Sequence, residues 1–173
     1  MKTNFSQANS WIASAIYDIK RVLNDLNLKD FSRVAFTSQF AVEKLNKAIF
    51  SLIGIKIEKT HNPSEILKEV LIDEEALSID EKAREWIEMI IRNSEFFEKQ
   101  GTKTRYGIIE GDKIRFPEEI YSSFEDIHDF LENLKTIINV YTKLMKETFR
   151  LSEKEFESIE VLKELEGEIS KWI

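Results

Sequence analysis

Apolar residues recur at three- and four-residue steps along nearly the whole chain, and this spacing is typical of helices that bury one face. The first segment shows the pattern most clearly, with Ala8, Trp11, Ile12, Ala15, Ile16, Ile19, Val22, Leu23 and Leu26 on one side of a helix. The 173 residues include only five Gly and two Pro. That is too little turn chemistry for an all-β protein, so the sequence predicts an all-α fold.

Residues that begin and end helices divide this pattern into segments. Asp30 is the expected N-cap of a second helix, which should be the most buried and should end near Gly54. A short third helix is predicted from residues 62–65 to about Leu71, since Asn, Pro, Ser and Glu occur there in the order that favours a helix start. A fourth helix should run from Asp80 to Gly101.

The second half of the chain predicts two further helices. Pro117 should open the longest helix, of about seven turns, and Ser152 with Glu155 should cap a last amphipathic helix. Residues 106–116 suit either a small hairpin or a loop. We therefore expect an antiparallel four- or five-helix up-and-down bundle over residues 1–150. A C-terminal helical extension over residues 151–173 should pack on the bundle or on a partner subunit.

Composition excludes several kinds of chemistry. The chain has no Cys, which rules out disulfides, zinc–thiolate sites, iron–sulfur clusters and a cysteine nucleophile. His61 and His128 are its two histidines, so a multi-histidine metal centre is also excluded, and we expect neither a metal nor a cofactor. No apolar run reaches the ~20 residues of a membrane span, and the N-terminus lacks the apolar core of a signal peptide. These features predict a cytoplasmic protein without a membrane partner.

Charge is distributed unevenly along the chain. Residues 118–173 contain 14 acidic and 7 basic side chains, which accounts for the whole net charge of −7. A general nucleic-acid-binding surface is therefore not expected. The region from Lys99 to Arg115 reverses the trend, with five basic side chains against three acidic ones when the adjoining Glu98 is counted. We predict that any anionic ligand binds there, at Lys103, Arg105, Tyr106 or Arg115.

A set of motifs in fixed order resembles the HEPN family, the higher eukaryotes and prokaryotes nucleotide-binding domain, in its archaeal and bacterial type. The resemblance covers about residues 8–145 and depends on FSRVAFTSQFAVEKLNKAIFSLIG, then THNPSEIL, then TRYG. The matching positions are Phe31, Ala35, Phe36, Gln39, Ala41, Glu43, Lys44, Ala48, Gly54, His61, Leu67, Arg105 and Tyr106. One departure is clear, because Gly107 stands where the family usually has Pro.

The resemblance implies a helical bundle that pairs as a homodimer and has one of two functions. Some HEPN proteins are metal-independent ribonucleases with an Arg and a His four to six residues apart, in which His exchanges protons and Arg stabilises phosphoryl charge. Others are non-catalytic partners of minimal nucleotidyltransferases. No Arg in this sequence precedes a His at that spacing. Where Arg92-Asn93 imitates the motif, Phe97 occupies the His position, so no catalytic residue is assigned.

Structural interpretations compete with functional ones at several positions. Arg105 and Tyr106 suit phosphate and base, but Arg105 could equally pair with carboxylates of the bundle while Tyr106 packs as a plug. His61 could contact a nucleotide, although capping of the next helix is favoured. For Gln39, Glu43 and Lys44, a mutual hydrogen-bond network is favoured over a binding role.

These observations favour a non-catalytic HEPN-like binding or interaction module. The expected ligand is a nucleotide or RNA, and the expected protein partner, by family analogy alone, is a minimal nucleotidyltransferase. The alternative is a toxin-like, metal-independent ribonuclease that uses Arg105, Tyr106 or His61 in an unconventional site. A third interpretation is a structural bundle without a ligand.

Overall fold

The computed structural model describes residues 4–55, 62–72, 80–149 and 157–173. The fold is all-α with one small hairpin. Its helices in chain order are α1 (Phe5–Asn27), α2 (Phe31–Ile53), α3 (Pro63–Ile72), α4 (Glu81–Gln100), α5 (Lys103–Tyr106), α6 (Pro117–Ile120), α7 (His128–Lys143) and α8 (Glu157–Ser170). The hairpin strands are β1 (Ile108–Glu110) and β2 (Lys113–Arg115). A 3₁₀ turn (Glu125–Ile127) precedes α7, and a π-helical turn (Leu144–Thr148) follows it.

Helix α2 lies at the centre of the bundle, in agreement with the prediction that the second helix is the most buried. It packs along α1 and also contacts α3, α4 and α7, and its side chains from Val34 to Ile53 are mostly buried. Two of its polar residues, the buried Asn46 and the half-buried Lys44, join it to neighbouring helices. Asn46 donates from Nδ2 to the Ser94 hydroxyl of α4 over 3.0 Å, while Lys44 pairs with the nearly buried carboxylate of Asp18 on α1. These bonds satisfy polar groups that would otherwise be costly to bury.

The predicted helix caps are confirmed at both ends of α2 and α4. Asp30 Oδ1 accepts from the backbone N–H of Arg33 over 3.2 Å, and Asp80 Oδ1 accepts from that of Ala83 over 2.7 Å. Gly54 and Gly101 end their helices at φ of 77° and 53°. Glycine suits both sites because a left-handed backbone crowds any Cβ.

Lys29 has the same left-handed backbone at the end of α1, with φ of 57°, although it is not a glycine. Its N–H donates to the Leu26 carbonyl over 3.0 Å, and the N–H of Asp30 donates to the Asp25 carbonyl over 2.9 Å. These two bonds form a Schellman motif, in which glycine is the preferred residue. The tight turn from α1 into α2 therefore contains a strained lysine.

Helix α3 is held at its start by a carboxylate from α4. Glu98 accepts from the backbone N–H of Ser64 over 2.9 Å and from the Ser64 hydroxyl. Burial raises the pKa of Glu98 above its usual value, and the two bonds from Ser64 oppose that rise only in part. The contact fixes α3 against α4 because a side-chain oxygen of Glu98 satisfies an N–H group at the start of the helix.

The prediction of one long helix from Pro117 is wrong. The chain forms the single turn α6, breaks at Tyr121 and resumes at the 3₁₀ turn, so α1 and α2, with 23 residues each, are longer than α7 with 16. Tyr121 is buried against Phe130, and its hydroxyl donates to Gln100 over 3.2 Å. Asp126 then accepts the backbone N–H groups of both Ser122 and Ser123. These tertiary and capping contacts override the helical pattern.

Of the two alternatives for residues 106–116, the structure has the hairpin. Strands β1 and β2 pair antiparallel, with Ile109 opposite Ile114. Gly107 precedes β1 at φ of 76°, and a Cβ at this position would lie 1.9 Å from the Arg115 carbonyl oxygen. Only glycine fits so close to the backbone of β2, which explains the departure from the family's Pro.

The last helix packs on its own chain. Helix α8 contacts α1 and α7 and buries Ile159, Leu162, Leu165 and Ile169. Trp172 is 37% exposed and stacks on Phe124 with centroids 6.5 Å apart. The predicted capping box at Ser152 and Glu155 lies outside the described residues. None of the helices in the described ranges is both long and apolar enough to cross a membrane.

Candidate anion-binding site

The short helix α5 is fixed to α2 by one glutamine side chain. Gln39 donates from Nε2 to the Gly101 carbonyl over 3.2 Å and accepts from the Thr104 hydroxyl over 2.7 Å. Thr104 is itself buried. Both polar atoms of the Gln39 amide are therefore bonded to the segment between α4 and α5. This contact sets the position of Arg105, which follows Thr104 in the chain.

The polar residues of α2 do not form the mutual network that the sequence favoured. Gln39 binds the α4–α5 turn, Lys44 pairs with Asp18, and Glu43 accepts from Lys47. Each side chain thus reaches a different element or turn of helix. The role of Gln39 is structural, but it supports a residue of the candidate site.

Arg105 lies over two aromatic rings of α2. Its guanidinium carbon is 4.6 Å from the ring centroid of Phe40 and 5.6 Å from that of Phe36. The two rings are themselves in edge contact, 4.8 Å apart. Cation–π contacts of this kind contribute about 0.5–2 kcal/mol and hold the guanidinium in place without using its N–H donors.

The donors of Arg105 have no partner among the residues that the structure describes. Its Nε is buried and makes no hydrogen bond, and no described carboxylate lies within ion-pair distance. The alternative in which Arg105 neutralises acidic groups of the bundle is therefore not found. The terminal amino groups of this oriented guanidinium are also unpaired among the described residues, and they are suited to recognition of a phosphate or carboxylate.

An open cleft of about 410 Å³ lies beside this guanidinium. It is lined by Ser32, Arg33, Phe36, Thr104, Arg105, Tyr106, Pro117 and Glu118. Tyr106 is 69% exposed, so it does not plug the bundle, and its ring is available for stacking. Arg33 contributes a second positive charge, although its Nε lies 3.6 Å from Asp30.

The other predicted site residues lie elsewhere. Lys103 places its ammonium 5.6 Å from the ring centroid of Tyr121 and does not line the cleft. Arg115 pairs with Glu110 over 3.2 Å on the hairpin. His61 lies outside the described residues. The structure thus brings together Arg105 and Tyr106 and separates them from the other two described basic candidates.

Sequence reasoning missed three residues as parts of this site. Arg33, Phe36 and Phe40 follow each other at three- and four-residue steps, which places them on one face of α2. That spacing was visible in the sequence. It did not indicate a site, because the partner residue Arg105 is 65 positions further along than Phe40.

The position that would hold a nuclease histidine is part of the core. Phe97 is 1% exposed and packs edge-on against Phe96 and Phe130. Arg92 is exposed and pairs with Glu88 over 3.3 Å. Phe cannot exchange a proton, and this cluster of rings leaves the position without access to solvent.

One surface group in the described part of the chain has the composition of a metal site. Ligand atoms of His128, Asp129 and Glu132 lie within 4.8 Å of one another at the start of α7. Asp129 and Glu132 are exposed, and clusters of this kind are common on acidic helices without any ion.

The helical bundle places the protein among all-α domains. The sequence model of the HEPN domain matches residues 8–145, and the chain belongs to the HEPN family. This membership suggests a nucleotide-binding or ribonuclease-like module. No curated protein and no solved structure gives a significant match.

Proposed function

We propose that this HEPN protein is a non-catalytic binding module that takes a nucleotide, free or within RNA, in the cleft beside Arg105. The observation that carries the proposal is the guanidinium fixed over Phe36 and Phe40 with its donors unpaired among the described residues. A phosphate would accept from these donors, and the exposed ring of Tyr106 would stack on a base. Such a pairing uses groups that the bundle itself does not need.

The absence of the Arg-x4–6-His spacing supports a binding role over a catalytic one. General acid–base catalysis of RNA cleavage needs a group that titrates near neutral pH, and the matching position is the buried Phe97. HEPN domains often dimerise, and we propose that this chain does so too. A minimal nucleotidyltransferase remains the proposed protein partner by family analogy, and co-elution of the co-expressed pair would test it.

Nucleotide titration followed by amide chemical shifts tests the binding site. We expect AMP and a short single-stranded RNA to perturb amides around Thr104, Arg105 and Tyr106. Arg105→Gln should weaken binding about tenfold or more, since a charge-assisted hydrogen bond contributes ~1.5–3 kcal/mol. Arg92→Gln is the matched control, because it removes the same charge from an exposed position on α4.

Four results would contradict this function. Shifts confined to the acidic helix α8 would exclude the Arg105 cleft as the site, as would equal losses of affinity in Arg105→Gln and Arg92→Gln. Cleavage of labelled RNA that persists with chelator and is lost in Arg105→Gln would instead establish the unconventional ribonuclease. If cleavage is lost in Arg92→Ala, the family's nuclease mechanism would apply.

A further inference from the structure

The hairpin has its apolar side chains on the side that faces water. Ile109 and Ile114 are directly opposite each other, so their side chains share one face of the two strands. Phe116 follows Ile114 by two residues and continues the same face. Their exposed fractions are 79%, 52% and 56%. We refer to these three residues as the hairpin face.

The opposite side of the hairpin contains an ion pair and a half-buried residue. Glu110 and Arg115 form an ion pair there over 3.2 Å, and Ile108 is half-buried. A two-stranded hairpin on a helical bundle would be expected to turn its apolar side inward. Because this hairpin turns three large apolar side chains outward, its face is suited to contact with an apolar surface that the described residues of the chain do not provide.

The area of the hairpin face sets the strength of contact that it can support. From their exposed fractions, the three side chains present on the order of 400 Å², within the ~300–600 Å² range of the largest patch on a typical monomer. Two such faces bury roughly 800 Å² in total, which is below the ~1,200 Å² of a standard stable interface. A contact centred here should therefore be weak and concentration-dependent.

Local charge indicates which partner fits. The chain carries −7 overall, with the excess in residues 118–173, whereas Glu110, Asp112, Lys113 and Arg115 make the hairpin neutral. In a two-fold interface the same patch of each chain contacts its copy. Two chains that are both negatively charged therefore repel each other least where this patch is locally neutral and apolar. A basic partner protein would instead be attracted to the acidic C-terminal third.

We propose that two copies of this chain associate by packing their hairpin faces against each other. Face-to-face packing buries Ile109, Ile114 and Phe116, whereas pairing through the strand edges would leave the same side chains in water. This inference rests on the homodimer proposed above and names the surface through which the two chains contact each other. The Arg105 cleft adjoins the start of the hairpin, so this dimer would place the two clefts near its interface.

Sedimentation and light scattering over a range of concentrations test this surface. The wild-type protein should show a weak monomer–dimer equilibrium that Ile109→Lys abolishes. Ile72→Lys is the matched control, because Ile72 on α3 is also 79% exposed, and it should leave the equilibrium unchanged. Circular dichroism of both variants checks that the fold is intact.

The lack of cysteine permits an independent measurement. Ile109→Cys should cross-link to a covalent dimer with a bis-maleimide that spans the ~10 Å between packed sheets, and Ile72→Cys should not. A wild-type protein that stays monomeric at every concentration would overturn the homodimer and this inference together. A dimer that survives Ile109→Lys would overturn only the surface. Nucleotide binding by the monomeric variant would still be measurable on its own.

Discussion

Gly107 is the position where one added carbon should have the largest local effect. Its φ is 76° and its ψ is −159°, a combination that costs a non-glycine residue about 1–3 kcal/mol. A Cβ would also lie 1.9 Å from the Arg115 carbonyl oxygen, where 3.0 Å is the least that real Cβ atoms show. The neighbouring atom is backbone, so it cannot rotate away. Gly107→Ala should therefore force β1 and β2 apart.

The strain should unfold the hairpin and not the bundle. A two-stranded hairpin is marginal by itself, and its three-residue strands bury little of their surface. A cost of ~3 kcal/mol would exceed what holds it in place. We expect amide exchange and chemical shifts of residues 108–115 to become those of an open loop, with a fall in Tm of at most a few degrees.

Gly111 provides the matched control for this experiment. It also has positive φ, at 62°, but a Cβ there would meet nothing within 4 Å. Gly111→Ala should cost only the ~1–2 kcal/mol of a left-handed residue and keep more of the hairpin. If Gly107→Ala and Gly111→Ala give the same exchange rates in β1 and β2, the close approach to Arg115 does not control the hairpin. Gly107→Pro should behave like Gly107→Ala, because it fixes φ near −65° and removes the N–H that donates to Lys103.

Three further substitutions or truncations test the bundle. Lys29→Gly should raise stability by about 0.5–1 kcal/mol in chemical denaturation, because relief of the left-handed lysine exceeds the added chain entropy. Because the pKa of Glu98 is raised by folding, the free energy of unfolding falls as the pH rises from the usual glutamate pKa of 4.5 through the pKa in the folded state. Glu98→Gln should remove this fall. In urea unfolding, the stability of the variant relative to wild type should therefore be higher at about pH 7 than at about pH 4. Truncation after Leu151 removes four buried side chains of α8 and exposes the surface of α1 and α7 that they cover, so it should lower the Tm in thermal unfolding followed by circular dichroism.

Local signals in the sequence were sufficient for most helix boundaries. Asp30 and Asp80 begin helices, and Gly54 and Gly101 end them, because a cap is decided by a side chain and the few residues next to it. The helix expected from Pro117 failed for the opposite reason. Tyr121 breaks it by packing on Phe130 and bonding to Gln100, which are contacts that no local pattern contains.

The candidate site shows the same limit. Counting charges identified residues 99–115, but it could not separate basic side chains that are engaged within the fold from those that are not. Arg115 is paired with Glu110, and Lys103 lies over Tyr121. Arg105, by contrast, lies over Phe36 and Phe40 of a distant helix and keeps its donors. Only the packing of α5 on α2 distinguishes these three cations.

The cleft and the hairpin face are close in sequence but should be separable by experiment. Arg105 is held from the α2 side, by its two rings and by the Gln39–Thr104 bond, and none of these contacts involves the hairpin. Displacing the hairpin with Gly107→Ala should therefore prevent dimer formation while AMP still perturbs the Arg105 amide. If AMP binding is lost together with the dimer, the ligand needs the partner subunit as well, and the site is one that two chains complete. Retained binding in a monomer would show that the cleft of a single bundle is sufficient.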